Sequence, residues 1–384
     1  MPQLLPASAE AVPHAHTEFM QRRHFGSLNG LRAISILAVI WHHTMGHEPL
    51  LPRVLSTGAH GVTLFFAISG FLIVTLLLRE RDHRGRIDLP AFYMRRTLRI
   101  FPLYFAVLAL YVLLVAVMER DSEVGREFFR NLPYFATYTT NWFVALEGRV
   151  IFYFSWSLAA EEQFYLLWPS VQKRLAPWYA LLAMLFVIAA IVLVHWSGTP
   201  PGPGSDPLLY RIIASVPYAI CFGVVLAHLL HHRITHRWMG VLFGWRGSSV
   251  LLLAATALVL NQSGVPTIAV HLMMTLFVGA CVYREDHLLA RLLQHRLVVY
   301  IGTVSYGMYL LHMLAKNAVA LALSRLQLQD ADLLVFGLTV CSTLIAAGVS
   351  FRYFESYFLK IKKRFEVPRE TSSSISFPQK RMSR

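Results

Sequence analysis

The sequence predicts an all-α fold, a polytopic membrane helix bundle of about ten transmembrane helices with both termini cytoplasmic. Three observations carry that expectation. Of 384 residues, 56% are hydrophobic and only 15% charged, and the mean hydropathy of +0.51 lies outside the range of an ordinary soluble domain. Apolar runs long enough to cross a bilayer recur along the whole chain. With the N-terminus inside, inward segments hold 25 of the 35 Lys and Arg residues, about three times the outward share, which orients both ends toward the cytoplasm of a multi-pass plasma-membrane protein. The formal charge of +14 does not imply nucleic acid, because the basic residues sit beside predicted membrane ends instead of forming one soluble patch. Cys221, Cys281 and Cys341 all fall in predicted spans, so neither a disulfide framework nor a CxxC metal site is indicated, and packing is their expected role.

In chain order, residues 1–24 contain Pro2, Pro6 and Pro13 but no apolar core, and read as a flexible cytoplasmic leader, not a signal peptide. The first helix, 28–45, places Arg32 and His43 eleven residues apart, hence on one face and about 16 Å apart along the axis. Two polar groups in hydrocarbon either line an interior path or snorkel to opposite interfaces. His42 points roughly 80° away from that face. The second helix, 59–78, carries Phe65-Phe66 and Ser69-Gly70-Phe71. A basic loop then leads into the third, 100–118; if residues 92–101 are helical, Arg95 and Arg99 share a face with Arg96 beside them. Such a cluster suits the phosphates of a cytosolic donor, although positive-inside topology alone also places arginines there.

The segment 119–150 balances acidic residues, among them Glu119 and Glu147, against four arginines, and its run Tyr134 to Trp142 is aromatic enough to lie in the interface or re-enter. The fourth helix, 155–171, carries Glu161 and Glu162, about 100° apart, so that one can face inward and orient an imidazole or both can form an interfacial pair. Helices at 178–196, 208–230, 241–260 and 265–282 follow as plain apolar spans. His231, His232 and His236 lie in the loop between two of them, without convergent carboxylates or cysteines to make a metal site. The ninth helix, 298–320, aligns Ser305, Tyr309 and His312 on one face, as helix-packing polar groups or as part of a site. The tenth is 332–354, and 361–384 is a basic tail suited to anionic lipid. The domain organisation is thus a leader (1–24), a membrane domain (25–360) and a tail (361–384).

Five ordered blocks carry more than periodicity: the Arg32 to His43 spacing; Phe65-Phe66 with Ser69-Gly70-Phe71; Arg95-Arg96 with Arg99-Ile100 and Pro102; Trp156-Ser157-Leu158 with Glu161-Glu162-Gln163-Phe164-Tyr165; and Ser305-Tyr306 with Tyr309-Leu310 and His312. Over about 25–355 the chain resembles the acyltransferase-3 family of integral membrane acyltransferases. Val349 to Glu355 also resembles the family's last helix, although Ser356 stands where a proline often follows.

The resemblance implies transfer of an acyl group, commonly acetyl from cytoplasmic acetyl-CoA, to a hydroxyl of an acceptor at the outer side of the membrane, a carbohydrate by family habit. Acyl-CoA is then a co-substrate and no cofactor is bound. On this reading Arg32, Arg95, Arg96 and Arg99 hold the donor, and His43 is the general base or a transient acyl carrier. Glu161 fixes the tautomer of His43, while Ser69, Tyr165, Tyr309 and His312 contact the acceptor or the oxyanion. The competing class is a transporter or flippase with an Arg/His/Glu proton relay; paired repeats with broken helices, its usual mark, are not visible in the sequence.

Overall fold

The computed structural model describes residues 11–22, 24–45, 56–146, 148–196, 207–328 and 331–365. The leader's Pro2 and Pro6, Arg23, Arg53, Glu147 and the tail from 366, with Arg369, lie outside the described residues. Among the described residues every regular element is helical.

The leader is helical over α1 (Ala11–Gln21), where Arg79 donates to the carbonyls of Phe19 (2.6 Å) and Arg22 (2.5 Å). The Arg32/His43 helix is α2 (Gly26–Met45) and the next is α3 (His60–Arg84), stopped by Gly85 at φ 69°. The third span starts earlier than its apolar run suggests: α4 (Leu89–Met118) begins at Asp88, whose side chain accepts from the amide of Ala91 at 3.1 Å, with Pro90 in the first turn. Arg95, Arg96 and Arg99 are therefore helical, not loop, residues.

After α4 come α5 (Glu123–Ala136) and the single turn α6 (Thr140–Phe143), followed by α7 (Ser155–Arg174) and α8 (Pro177–Trp196). Two predicted spans are broken. The sixth divides into α9 (Leu208–Ala214) and α10 (Tyr218–His231), bent by 57°; the seventh, expected at 241–260, is mostly α12 (Ser248–Asn261), preceded at a bend of 72° by α11 (Arg233–Phe243), most of which falls in the expected loop. Pro217 breaks the first within a continuous apolar run, and Gly244 and Gly247, on either side of Arg246, break the second. His231 and His236 are accordingly helical, and His236 is buried, stacked 4.6 Å from Tyr283. The chain continues through α13 (Thr267–Tyr283), the short α14 (Ala290–Leu293), α15 (Arg296–Ser324) and α16 (Asp332–Ser350). A π-turn, Phe351–Glu355, α17 (Ser356–Lys362) and a 3-10 turn, Lys363–Phe365, end the described chain.

Among the described residues, by length and composition, five helices can cross a membrane, or up to seven if each bent pair is one span, fewer than the ten expected. Several of the others, α2 and α7 among them, are diluted by the polar residues that make the site. The α8 helix is mostly exposed, presenting Phe186 and Leu193 outward, as a lipid-facing helix does. Cys221 and Cys281 are buried as expected, whereas Cys341 is exposed on α16 and does not pack inside.

Two apolar cores meet at Val62, one built on α3, α10 and α13, the other on α2, α4, α15 and α16. Glycines allow the closest approaches. A Cβ on Gly70 would lie 2.2 Å from the carbonyl oxygen of Ile220, and one on Gly302 would lie 1.8 Å from that of Asn29. The second contact locks α15 against the first turn of α2, one turn from Arg32.

Candidate functional site

A cavity of about 90 Å³ lies where α2, α3, α4, α7 and α15 converge. Arg32, Ser69, Arg96, Arg99, Glu161, Tyr165 and Tyr309 all line it, so one interior space gathers residues from all five sequence blocks. The guanidinium of Arg32 donates to the side chain of Asn29 at 3.3 Å, and that of Arg96 stands 4.7 Å above the ring of Tyr165. Arg99, one turn on from Arg96, is attracted by the carboxylate of Glu355 in the π-turn. Glu161 accepts from the hydroxyls of both Ser69 and Tyr165. Three guanidiniums thus face two carboxyl groups, Glu161 and Glu162, in a half-buried space where charge is felt strongly.

Arg95 is placed elsewhere. It pairs with Glu80 at 3.3 Å and donates to the carbonyl of Phe365 at 2.8 Å, outside the cavity lining. Arg96 and Arg99, three residues apart, are the pair that points inward.

His43 sits beyond the cavity, at the far end of α2. Its Nδ1 lies 2.9 Å from the hydroxyl of Tyr153, and its ring is 5.1 Å from that of His312 and 5.2 Å from that of His42. His312 donates from Nδ1 to the carbonyl of Tyr309 at 2.6 Å, which fixes its tautomer; its buried Nε2 has no hydrogen-bond partner among the described residues. Tyr309 is the link between the two parts. Its ring walls the cavity and lies 5.5 Å from that of His312, while its hydroxyl donates to the carbonyl of Phe154 at 3.0 Å and lies 2.6 Å from Ser157 Oγ. The rings of Tyr309 and His312 therefore stand in succession between the cavity and His43.

Glu161, expected beside His43, has Ser69 and Tyr165 as its hydrogen-bonding partners, and the oxygen beside His43 belongs to Tyr153. Tyr153 occupies the turn before α7, where no helical periodicity marks it. Burial pushes its phenol up to about 12, so it keeps its proton through the pH range in which an ordinary tyrosine ionises. Tyr306, whose hydroxyl donates to the carbonyl of Ile100 at 2.7 Å, and Ser157 also join the lining; Ser157 was legible as the residue one turn before Glu161.

Residues 25–352 match the family model described as "Acyltransferase domain". Among curated relatives, a Staphylococcus aureus (strain COL) protein provisionally named an O-acetyltransferase is 26% identical over 373 residues, covering 90% of this chain and 59% of its own. The peptidoglycan O-acetyltransferase OatA of Listeria monocytogenes is 27% identical over 379 residues, covering 87% and 56%. A Bacillus subtilis (strain 168) protein, provisionally named a peptidoglycan O-acetyltransferase, is 25% identical over 316 residues, covering 76% and 48%. The chain spans about half the length of these relatives. No solved structure matches it significantly.

Proposed function

The chain belongs to the acyltransferase family whose domain it matches over residues 25–352, and from that premise we propose that it is a membrane O-acetyltransferase. Its donor is acetyl-CoA arriving from the cytoplasm, and its acceptor is a glycan hydroxyl at the outer side, with peptidoglycan the first candidate because relatives carry that name. The observation that carries the reading is the convergence of Arg32, Arg96 and Arg99 with Glu161 in one cavity, joined through Tyr309 and His312 to His43. Arginines from two helices suit a polyanionic donor, since guanidinium forks bind phosphate and polarise carbonyl oxygens.

A cavity of about 90 Å³ is far below the roughly 300 Å³ at which pockets begin to hold a whole small ligand. It fits the thioester end of the donor and favours a short acyl group. Arg96 and Arg99 attract the donor, and Arg32, deeper on α2, steadies the thioester carbonyl oxygen as it gains charge. His43 takes the proton of the acceptor hydroxyl as its oxygen attacks the carbonyl carbon. The C–S bond then breaks, and the thiolate of CoA recovers the proton from the imidazolium. Tyr153 orients His43, and Glu161 balances the arginines while holding Ser69 and Tyr165.

The test is product formation. The purified chain in lipid nanodiscs is incubated with radiolabelled acetyl-CoA and soluble peptidoglycan glycan fragments. Hydroxylamine-labile label on the glycan is the expected result. Label that stays on acetyl-CoA, with flux of glycan across the membrane instead, would overturn the reading in favour of transport.

A further inference from the structure

A second, larger cavity of about 470 Å³ lies directly behind the first, and Val62 and Phe66 form walls of both. It belongs to the His43 end of the bundle: Gly58 packs against the backbone of His42, and His60, two residues on, is part of the lining. We propose that this cavity is the acceptor subsite and takes a mono- or disaccharide unit of a glycan, a proposal that rests on the acyl-transfer reading above.

The chemistry of the walls carries it. The volume falls within the range of small-ligand pockets. Trp142 and Trp156 line it, and aromatic plates are the surfaces on which the C–H faces of a pyranose settle. Both are already ordered. Trp142 donates from Nε1 to Ser215 Oγ at 3.0 Å, and Arg211 donates to its carbonyl at 2.6 Å; Trp156 packs edge-on against Phe66 with ring centres 6.1 Å apart. Ordered aromatics lose little freedom on binding. Between them stand groups that serve ring hydroxyls. Thr63 Oγ1 lies 3.3 Å from His60 Nδ1 and 3.4 Å from His271 Nε2, and the buried Nδ1 of His271 has no hydrogen-bond partner among the described residues. The hydroxyl of Thr63 and the imidazoles of His60 and His271 put polar atoms on one wall of the cavity, where a sugar hydroxyl can pair and a lipid chain cannot. A pyranose held here is separated from the arginine cavity by Val62 and Phe66, the walls that the two cavities share.

The test measures saccharide binding without turnover. The disaccharide N-acetylglucosaminyl-N-acetylmuramic acid is titrated by saturation-transfer NMR against the protein in nanodiscs, using wild type, His43→Ala, Trp142→Ala, Trp156→Ala and Trp156→Phe. Wild type and His43→Ala should bind alike. Each tryptophan-to-alanine variant should bind about tenfold more weakly while remaining folded by circular dichroism, and Trp156→Phe should recover most of the loss. Absence of saturable binding to wild type, equal binding by all five proteins, or a co-purified phospholipid that the disaccharide does not displace would overturn the subsite. Binding as described without acetyl transfer would leave the subsite standing and remove the acyl-transfer reading.

Discussion

Replacing Gly302 by alanine puts a methyl group where α15 touches the first turn of α2. Its Cβ would lie 1.8 Å from the carbonyl oxygen of Asn29, against an ordinary contact of at least 3.4 Å, so the two helices must part by about 1.6 Å. Backbone cannot yield as a flexible side-chain tip can, and overpacking of this kind costs about 1–3 kcal/mol. The functional cost is larger. Asn29 accepts from Arg32, and Gly302 lies one turn before Ser305 and Tyr306, so both walls of the arginine cavity shift. A misplacement of about 1 Å at a reacting centre costs on the order of 100-fold. Gly302→Ala should therefore melt at a lower temperature by intrinsic fluorescence and lose about 100-fold in kcat/KM for acetyl transfer. Gly337→Ala, with nothing within 4 Å of the added carbon, should do neither. Wild-type melting and wild-type rate in Gly302→Ala would refute the close helix crossing and the alignment built on it.

Arg96→Ala and Arg99→Ala should each raise KM for acetyl-CoA by roughly 10- to 150-fold, the worth of one lost hydrogen bond to a charged group. Arg95→Ala, which unpairs Glu80, should lower the melting temperature with a smaller change in KM. Tyr153→Phe should lower kcat about 2- to 13-fold, one neutral hydrogen bond, with donor KM unchanged. Because burial holds the Tyr153 phenol near 12, its ionisation should not contribute an alkaline fall in rate near pH 10; pH–rate profiles of wild type and Tyr153→Phe should share one shape there. Butyryl-CoA should be used about 5- to 150-fold less well than acetyl-CoA, the overpacking cost of two methylenes in the small cavity, measured as kcat/KM.

Much of the site was legible because its residues recur at helical spacing. Arg32, Ser69, Glu161 and Tyr309 sit on four different helices and line one cavity, and ordered sequence blocks are what single them out. Partner identity was not legible. Which of Arg95 and Arg96 turns inward depends on Glu80, fifteen residues upstream of Arg95, and that capture is a tertiary contact. Glu161 is taken by Ser69 from α3, and Tyr153 reaches His43 from an irregular turn. The same limit applies to the fold. Hydropathy continues across the break at 214–218, so a span that reads as a single helix is bent. The third helix began eleven residues earlier than its apolar run because the cap at Asp88, not hydrophobicity, sets its start.

The most direct test of the account is the separation of donor binding from transfer at His43. Acetyl-CoA affinity and acetyl transfer to glycan fragments are measured side by side in nanodiscs for wild type, His43→Ala and His42→Ala. The account predicts that His43→Ala binds acetyl-CoA with wild-type affinity and transfers no acetyl, while His42→Ala retains turnover. Acetyl transfer by His43→Ala at the wild-type rate would contradict it.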